Sequence, residues 1–224
     1  MIRPLRPFFL NPQIFGIELA FSIIIILLCL VIYFKTKEAF KLTKHKGIDY
    51  FRKTFLFLAF AYLFRFVSSI LVLSRITLDL RFPRILMGPL SLIFVGYFST
   101  MAIIYLFLST SWRKLRWKSI RFIVPIVAII ISLAAFLSRE PLILISCQAI
   151  LILFTGILSF KLHKKSTKFS KLFAIYILLF IFWMAGLVPL SSRWFFPRSW
   201  ILIIHIISFA IFITIFYKVH KWIK

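Results

Sequence analysis

Arg65 and Glu18 are the residues of this sequence best placed to do chemistry, because each interrupts a long apolar run. Arg65 stands inside Thr54–Leu73, and Glu18, the one acidic residue in any such run, inside Phe15–Phe34. An arginine at mid-depth in a membrane costs at least a few kcal/mol against lipid. A guanidinium and a carboxylate answer each other through charge-assisted, often bidentate hydrogen bonds. In one reading Arg65 anchors an anionic group of a ligand, with Glu18 as gate or proton site. In another the two form a buried pair that orients the first two helices. In a third Arg65 snorkels outward to the interface.

Other polar and aromatic side chains fall at comparable depth in their own runs: Ser132, Gln148, Trp183 and His205, with Tyr97 somewhat deeper. Arg65, Glu18, His205, Gln148, Trp183 and Tyr97 form the candidate ligand site, a layer in the outer half of a helix bundle. His205, with an ordinary pKa near ~6.5, is either a proton carrier or ligand contact, or a neutral ring hydrogen-bonded between helices. Gln148 and Tyr97 either line a pocket or make interhelical hydrogen bonds worth about 0.6–2 kcal/mol. Trp183 floors a pocket or fills the core. No metal or cofactor is expected, since zinc needs three or four convergent ligands and the layer offers too few. His45, His163 and His220 sit in or near the loops, which excludes paired-histidine haem ligation. H-E-x-x-H, G-x-S-x-G and phosphate-loop patterns are absent, so the sequence does not read as an enzyme.

Seven apolar stretches must position these residues: 15–34, 54–73, 87–108, 122–137, 142–160, 172–190 and 200–217. Each is close to the ~20 residues that span a bilayer. Hydrophobic residues make up 62% of the chain and mean hydropathy is +1.05, against ~45–50% apolar residues in a soluble domain. The expected fold is an all-α seven-transmembrane-helix bundle, a single polytopic domain over residues 1–224. The first helix should run past Phe34, since residues 35–44 keep helical spacing, and Gly47 should break it. It is longer than a signal h-region of ~7–15 residues and no A-x-A site follows. Cys29 and Cys147 differ in depth by about 15 Å, too far for a disulfide.

The charges orient the bundle. All sixteen lysines fall in alternate connections: 35–53, 114–118, 161–171 and 218–224. The opposite connections hold only arginines: Arg3, Arg6, Arg75, Arg81, Arg84, Arg139, Arg193 and Arg198. Cytoplasmic loops collect Lys and Arg, so the N-terminus is expected outside and the C-terminus inside a cell membrane. Trp112, Trp117 and Trp222 mark the inner interface, Trp194 and Trp200 the outer. A net charge of +24 without any basic domain or base-reading motif excludes nucleic acid. Anionic headgroups at the inner face are the expected partner, at roughly 1 kcal/mol per juxtamembrane Lys or Arg. A cytoplasmic protein would meet the same loops.

His45, Lys46, Phe51, Lys53 and Phe55 recur without gaps as His163, Lys164, Phe169, Lys171 and Phe173, and Phe64 then matches Phe182. This points to a 3+1+3 parallel repeat relating helices 1–3 to 5–7, with chance matching in Lys/Phe-rich sequence as the alternative. In helix count, orientation and repeat the chain resembles two architectures, the rhodopsin-like bundle and the three-plus-one-plus-three sugar-transporter and PQ-loop type. The defining residues differ. The seventh helix carries His205 and no lysine before Lys218, and Pro12-Gln13 precede the first helix. The functional expectation is a receptor-like or sensory module binding a small ligand, an anionic one if Arg65 anchors it, in an outward-facing pocket. The alternatives are a small-solute transporter on the repeat, and a scaffold whose polar layer is structural. The topology has a direct check. In a cysteine-free background of sealed cells, an impermeant thiol reagent should reach cysteines placed between Arg75 and Arg84 and miss one at Lys165; labelling at Lys165 reverses the orientation.

Overall fold

The computed structural model describes residues 12–77, 89–111, 120–138, 141–164, 171–191 and 198–223. They form seven helices and no strand: α1 (Pro12–Thr43), α2 (Lys46–Thr77), α3 (Pro89–Ser111), α4 (Ile120–Ser138), α5 (Pro141–Lys164), α6 (Lys171–Ser191) and α7 (Arg198–Ile223). Proline opens α1, α3 and α5, where its missing N–H costs no bond and its fixed φ already suits the helix. Among the described residues, α1, α2, α3 and α7 each hold a stretch long and apolar enough to cross a membrane. The apolar stretches of α4, α5 and α6 are shorter, at Ile123–Ser138, Leu142–Ile157 and Ala174–Gly186. By length and composition this is a membrane protein. Arg3, Arg6, Arg81, Arg84, Arg139 and Arg193, with Trp112, Trp117 and Trp194, lie outside the described residues, as does part of the second repeat segment.

Within the described residues every apolar run expected from sequence is helical, and two helices are much longer than their runs. α1 and α2 have 32 residues each. The break between them falls at Lys44–His45 and not at Gly47, which is buried in the first turn of α2. Lys44 adopts φ 50°, and its N–H donates to the Phe40 carbonyl at 2.8 Å. A left-handed residue closing a 5→1 bond is a standard helix stop, and here a lysine supplies it in place of the expected glycine.

The helices pack as a ring, in the order α1, α2, α3, α5, α6, α7 and back to α1, and α4 sits outside against α3 and α5. Exchanging each helix with the fourth one after it leaves this contact order unchanged. The α1–α2 and α2–α3 contacts map onto α5–α6 and α6–α7. The seam α3–α5 maps onto the seam α7–α1.

Both seams join parallel helices. Phe21 and Lys35 of α1 meet His205 and His220 of α7 in the same sequence direction. On the other seam Gly96 lies against Leu144, and Phe107 meets Phe154. The repeat-matched phenylalanines touch corresponding neighbours: Phe64 of α2 stacks on Phe94 and Phe98 of α3, and Phe182 of α6 meets Phe212 of α7.

Aromatic rings fill the ring's centre. Trp222, Phe51, Phe55, Phe212, Phe182, Tyr62, Phe21 and His205 form one continuous series with neighbouring centroids 4.9–6.5 Å apart. Most of these contacts are edge-to-face, the arrangement the ring quadrupoles favour, at about 0.5–1.5 kcal/mol per pair. In lipid, where apolar burial between helices is not itself a driving force, such packing supplies much of the association energy. The abundance of phenylalanine therefore serves the interior as well as the lipid-facing surface.

Helix α4 is held by its small-residue stripe. Ala128, Ser132 and Ala135 are all buried, while Ile126, Ile129, Ile130 and Leu133 on its other faces are exposed. Gly96 of α3 is the point where α4 and α5 converge: a Cβ built there would lie 3.1 Å from Leu144 Cδ1 and 3.4 Å from Ser132 Cβ. Gly96→Val should therefore push both helices off α3 and lose about 1–3 kcal/mol, the usual range for overpacking. Gly16, with nothing within 4 Å of its added Cβ, is the control. Thermal unfolding in detergent should separate the two substitutions, and equal stability would place the tight contact elsewhere.

Candidate functional site

The first two helices run antiparallel, which brings Glu18 in the second turn of α1 to Arg65 on α2. Arg65 Nε donates to Glu18 Oε1 at 3.1 Å and Arg65 Nη2 to the same oxygen at 2.8 Å. Two donors thus converge on one acceptor, in place of the side-on fork that a bidentate pair would make. The two side chains are 20% and 31% exposed, so the pair sits at the edge of the packed core and not within it. Arg65 does not snorkel away. A guanidinium carries five N–H groups, so three remain after Glu18 is served.

Around this pair the helices place a tight aromatic group. Tyr62, one turn before Arg65 on α2, is buried and close enough to feel the charges of both Arg65 and Glu18. Phe21, one turn after Glu18 on α1, meets Tyr62 edge-on at 5.9 Å and His205 at 5.0 Å. Tyr62 faces Phe182 of α6 at 6.2 Å, and its hydroxyl lies 3.9 Å from where a Cβ on Gly186 would stand. Trp183 is buried in the same cluster. Glu18, Arg65 and His205 therefore gather where α1, α2 and α7 meet, and Trp183 of α6 lies in the core cluster that adjoins them.

The other two candidates point elsewhere. Gln148 of α5 is buried and donates through Nε2 to Ser99 Oγ and, at 3.4 Å, to Thr100 Oγ1 on α3. The Ser99 hydroxyl passes its own proton to the Val95 carbonyl at 2.6 Å. Gln148 is thus spent on the α3–α5 seam. Tyr97 packs against the cluster of α3 and α4 residues that contains Met101, Val124 and Ala128 and meets Phe98 edge-on. Its expected inward role is not where its side chain goes, because equal depth fixes height along a helix and leaves rotation free.

Sequence reasoning passed over Phe21, Tyr62, Ser99 and Thr100. The signal for Tyr62 was present: it lies three residues before Arg65, on the same helical face.

Chemically, the site holds a fixed positive charge, one carboxylate that neutralises it, and an aromatic floor. A small anion approaching Arg65 competes with Glu18 for the same N–H groups. Arg65→Ala removes two charge-assisted hydrogen bonds, each worth about 1.5–3 kcal/mol, while Glu18→Gln keeps a carbonyl acceptor. Arg65→Ala should lower the unfolding temperature in detergent more than Glu18→Gln does. The double variant should show coupling in a mutant cycle. Additive effects would mean that the pair does not form in the folded protein.

An uncharacterized protein of Archaeoglobus fulgidus is 32% identical to this chain over 225 aligned positions, covering 98% of this chain and 98% of the relative. No family model matches the chain, and no solved structure matches it.

Proposed function

This chain belongs to the same family as that archaeal protein, and we propose that the family carries a small anionic solute across the cell membrane between two three-helix halves. In this reading residues 1–224 form one polytopic domain of seven spans, with the N-terminus outside and the lysine-rich connections inside. Helices α1–α3 and α5–α7 are the halves, and α4 is the link that lets them run in the same direction. Anionic headgroups hold the inner face.

The observation that carries the reading is the ring contact order that survives exchange of each helix with the fourth after it. Parallel repeats are a recurrent design in transporters, and their solute sites lie near mid-membrane between the repeats. Glu18, Arg65 and Tyr62 belong to the first half, Trp183 and His205 to the second. A rocking motion of the halves would therefore change their spacing. A receptor-like module calls for a pocket standing open to the outside. Here Arg65 is held by Glu18, His205 packs on Phe21, and Gln148 is committed to α3. That arrangement favours a site that forms as the halves move, with Glu18 guarding Arg65 until an anion displaces it.

The protein reconstituted in proteoliposomes tests this with labelled phosphate, sulfate and short mono- and dicarboxylates as probes. Saturable uptake of one class is expected. Arg65→Gln should weaken binding of that class by about tenfold or more, the equivalent of one lost charge-assisted bond. Glu18→Gln should tighten binding, because it removes the competitor. Binding without uptake would make the protein a receptor. Neither binding nor uptake for any probe would leave the layer as structural glue in a scaffold.

A further inference from the structure

The α1–α2 hairpin extends beyond the apolar run of α1. The apolar run of α1 ends at Phe34, yet the helix continues to Thr43. Leu42, eight residues on, lies about 12 Å further along the axis at 1.5 Å per residue. The headgroup and interfacial layer occupies only about 5–8 Å on each side of the hydrocarbon. The tip therefore clears the lipid headgroups by roughly one helical turn.

The hairpin's charges are sorted by height. Low on the hairpin, Arg52, Lys53 and Lys35 are engaged within the protein. Arg52 lies 4.8 Å over the Phe40 ring and 5.7 Å over Tyr33, and it pairs with Asp49 at 2.7 Å. Lys53 pairs with the same carboxylate at 2.7 Å and lies 5.8 Å from the rings of both Tyr50 and Tyr105. Lys35 donates to His220 Nδ1 at 2.8 Å. These contacts lock the two helices together and onto α3 and α7. At the tip the pattern reverses: Lys41, Lys44 and Lys46 are exposed. Between the first two of them Leu42 is 87% exposed, the highest exposure of any large apolar side chain described. Glu38, one turn lower, is the hairpin's exposed acid. The turn itself is fixed by the left-handed Lys44 and its bond to Phe40, so the tip is a rigid feature.

We propose that this tip docks an acidic soluble protein on the lysine-rich side of the membrane, with Leu42 entering an apolar socket ringed by carboxylates. Charge complementarity selects the partner: three lysines surround one leucine at a height the headgroups do not reach. Basic residues that serve lipid binding sit against the headgroup layer, below the three lysines of the tip, and Lys35, Arg52 and Lys53 there are engaged within the protein. The inference needs only the membrane placement of α1 and α2 and stands apart from any transport activity.

The test uses the full-length protein in membranes of its own cell, with a photo-crosslinking amino acid at position 42. A single protein adduct is expected, and mass spectrometry should identify it as acidic. The triple variant Lys41→Glu, Lys44→Glu, Lys46→Glu should cut the adduct by about fivefold or more, since three attractive charges become repulsive. Salt near 0.5 M, where screening lengths fall to a few Å, should do the same. In vesicles rich in phosphatidylglycerol, a spin label at position 42 should stay accessible to water-soluble quenchers. A lipid adduct, a label buried in the bilayer, an adduct indifferent to charge reversal, or no adduct would each overturn the proposal.

Discussion

Arginine keeps its proton at any pH a cell reaches, so the charge of Arg65 has to be answered by geometry and cannot be removed by titration. In an apolar layer that requirement governs what lies next to it. Glu18 must face α2, which fixes the rotation of α1. With that rotation, Phe21 one turn on points to Tyr62 and His205, and Ile25, Cys29 and Ile32 fall on the buried face. The whole inward stripe of α1 follows from one ion pair near its N-terminal end. The other polar groups obey the same rule in weaker form. Gln148 finds Ser99 and Thr100, and Tyr176 on α6 finds Ser109 on α3 at 2.8 Å.

Satisfying polar groups inside a helix ring leaves a space problem at its centre, and aromatic side chains solve it. α2 and α6 face each other across the middle, where Phe51 meets Tyr176 and Tyr62 meets Phe182. Large flat rings let two helices stand apart and still touch. They also slide past one another with little loss, because edge-to-face and offset geometries have similar energies. The seams are built differently. Hydrogen bonds and a close glycine contact hold α3 to α5, and a ring contact and one hydrogen bond hold α7 to α1. The rings at the centre thus tolerate displacement, while directional bonds lie on the seams and also at Glu18–Arg65 between α1 and α2 and Ser109–Tyr176 between α3 and α6.

Much of this was legible in the sequence, and the failures share one cause. Apolar run length located all seven helices. The expected Glu18–Arg65 pairing is the geometry found. Depth along a helix follows from counting residues, so Gln148, Trp183 and His205 were placed at a common level. Rotation about the axis does not follow from counting. Tyr97 packed with the α3–α4 group, Gln148 took up the interhelical hydrogen bonds that were one of its two expected roles, and the single layer divided into two groups. The helix stop at Lys44 was missed for a related reason. A lysine can adopt φ 50° where a hydrogen bond repays the strain, and residue type alone favours Gly47 for that role.

The bond between Lys35 and His220 spans 185 residues of sequence. Ribosomes add roughly 5–20 residues per second, so the first helix waits on the order of ten to forty seconds for the last. During that interval α1, α2 and α3 can associate as they emerge, because their contacts are local. The face of α1 that will receive α7 has nothing to pack against but lipid, neighbouring chains or a chaperone. Completing the ring is then a late event in the life of each molecule. A chain halted before α7 would be left as an open arc, with its central rings uncovered along one side.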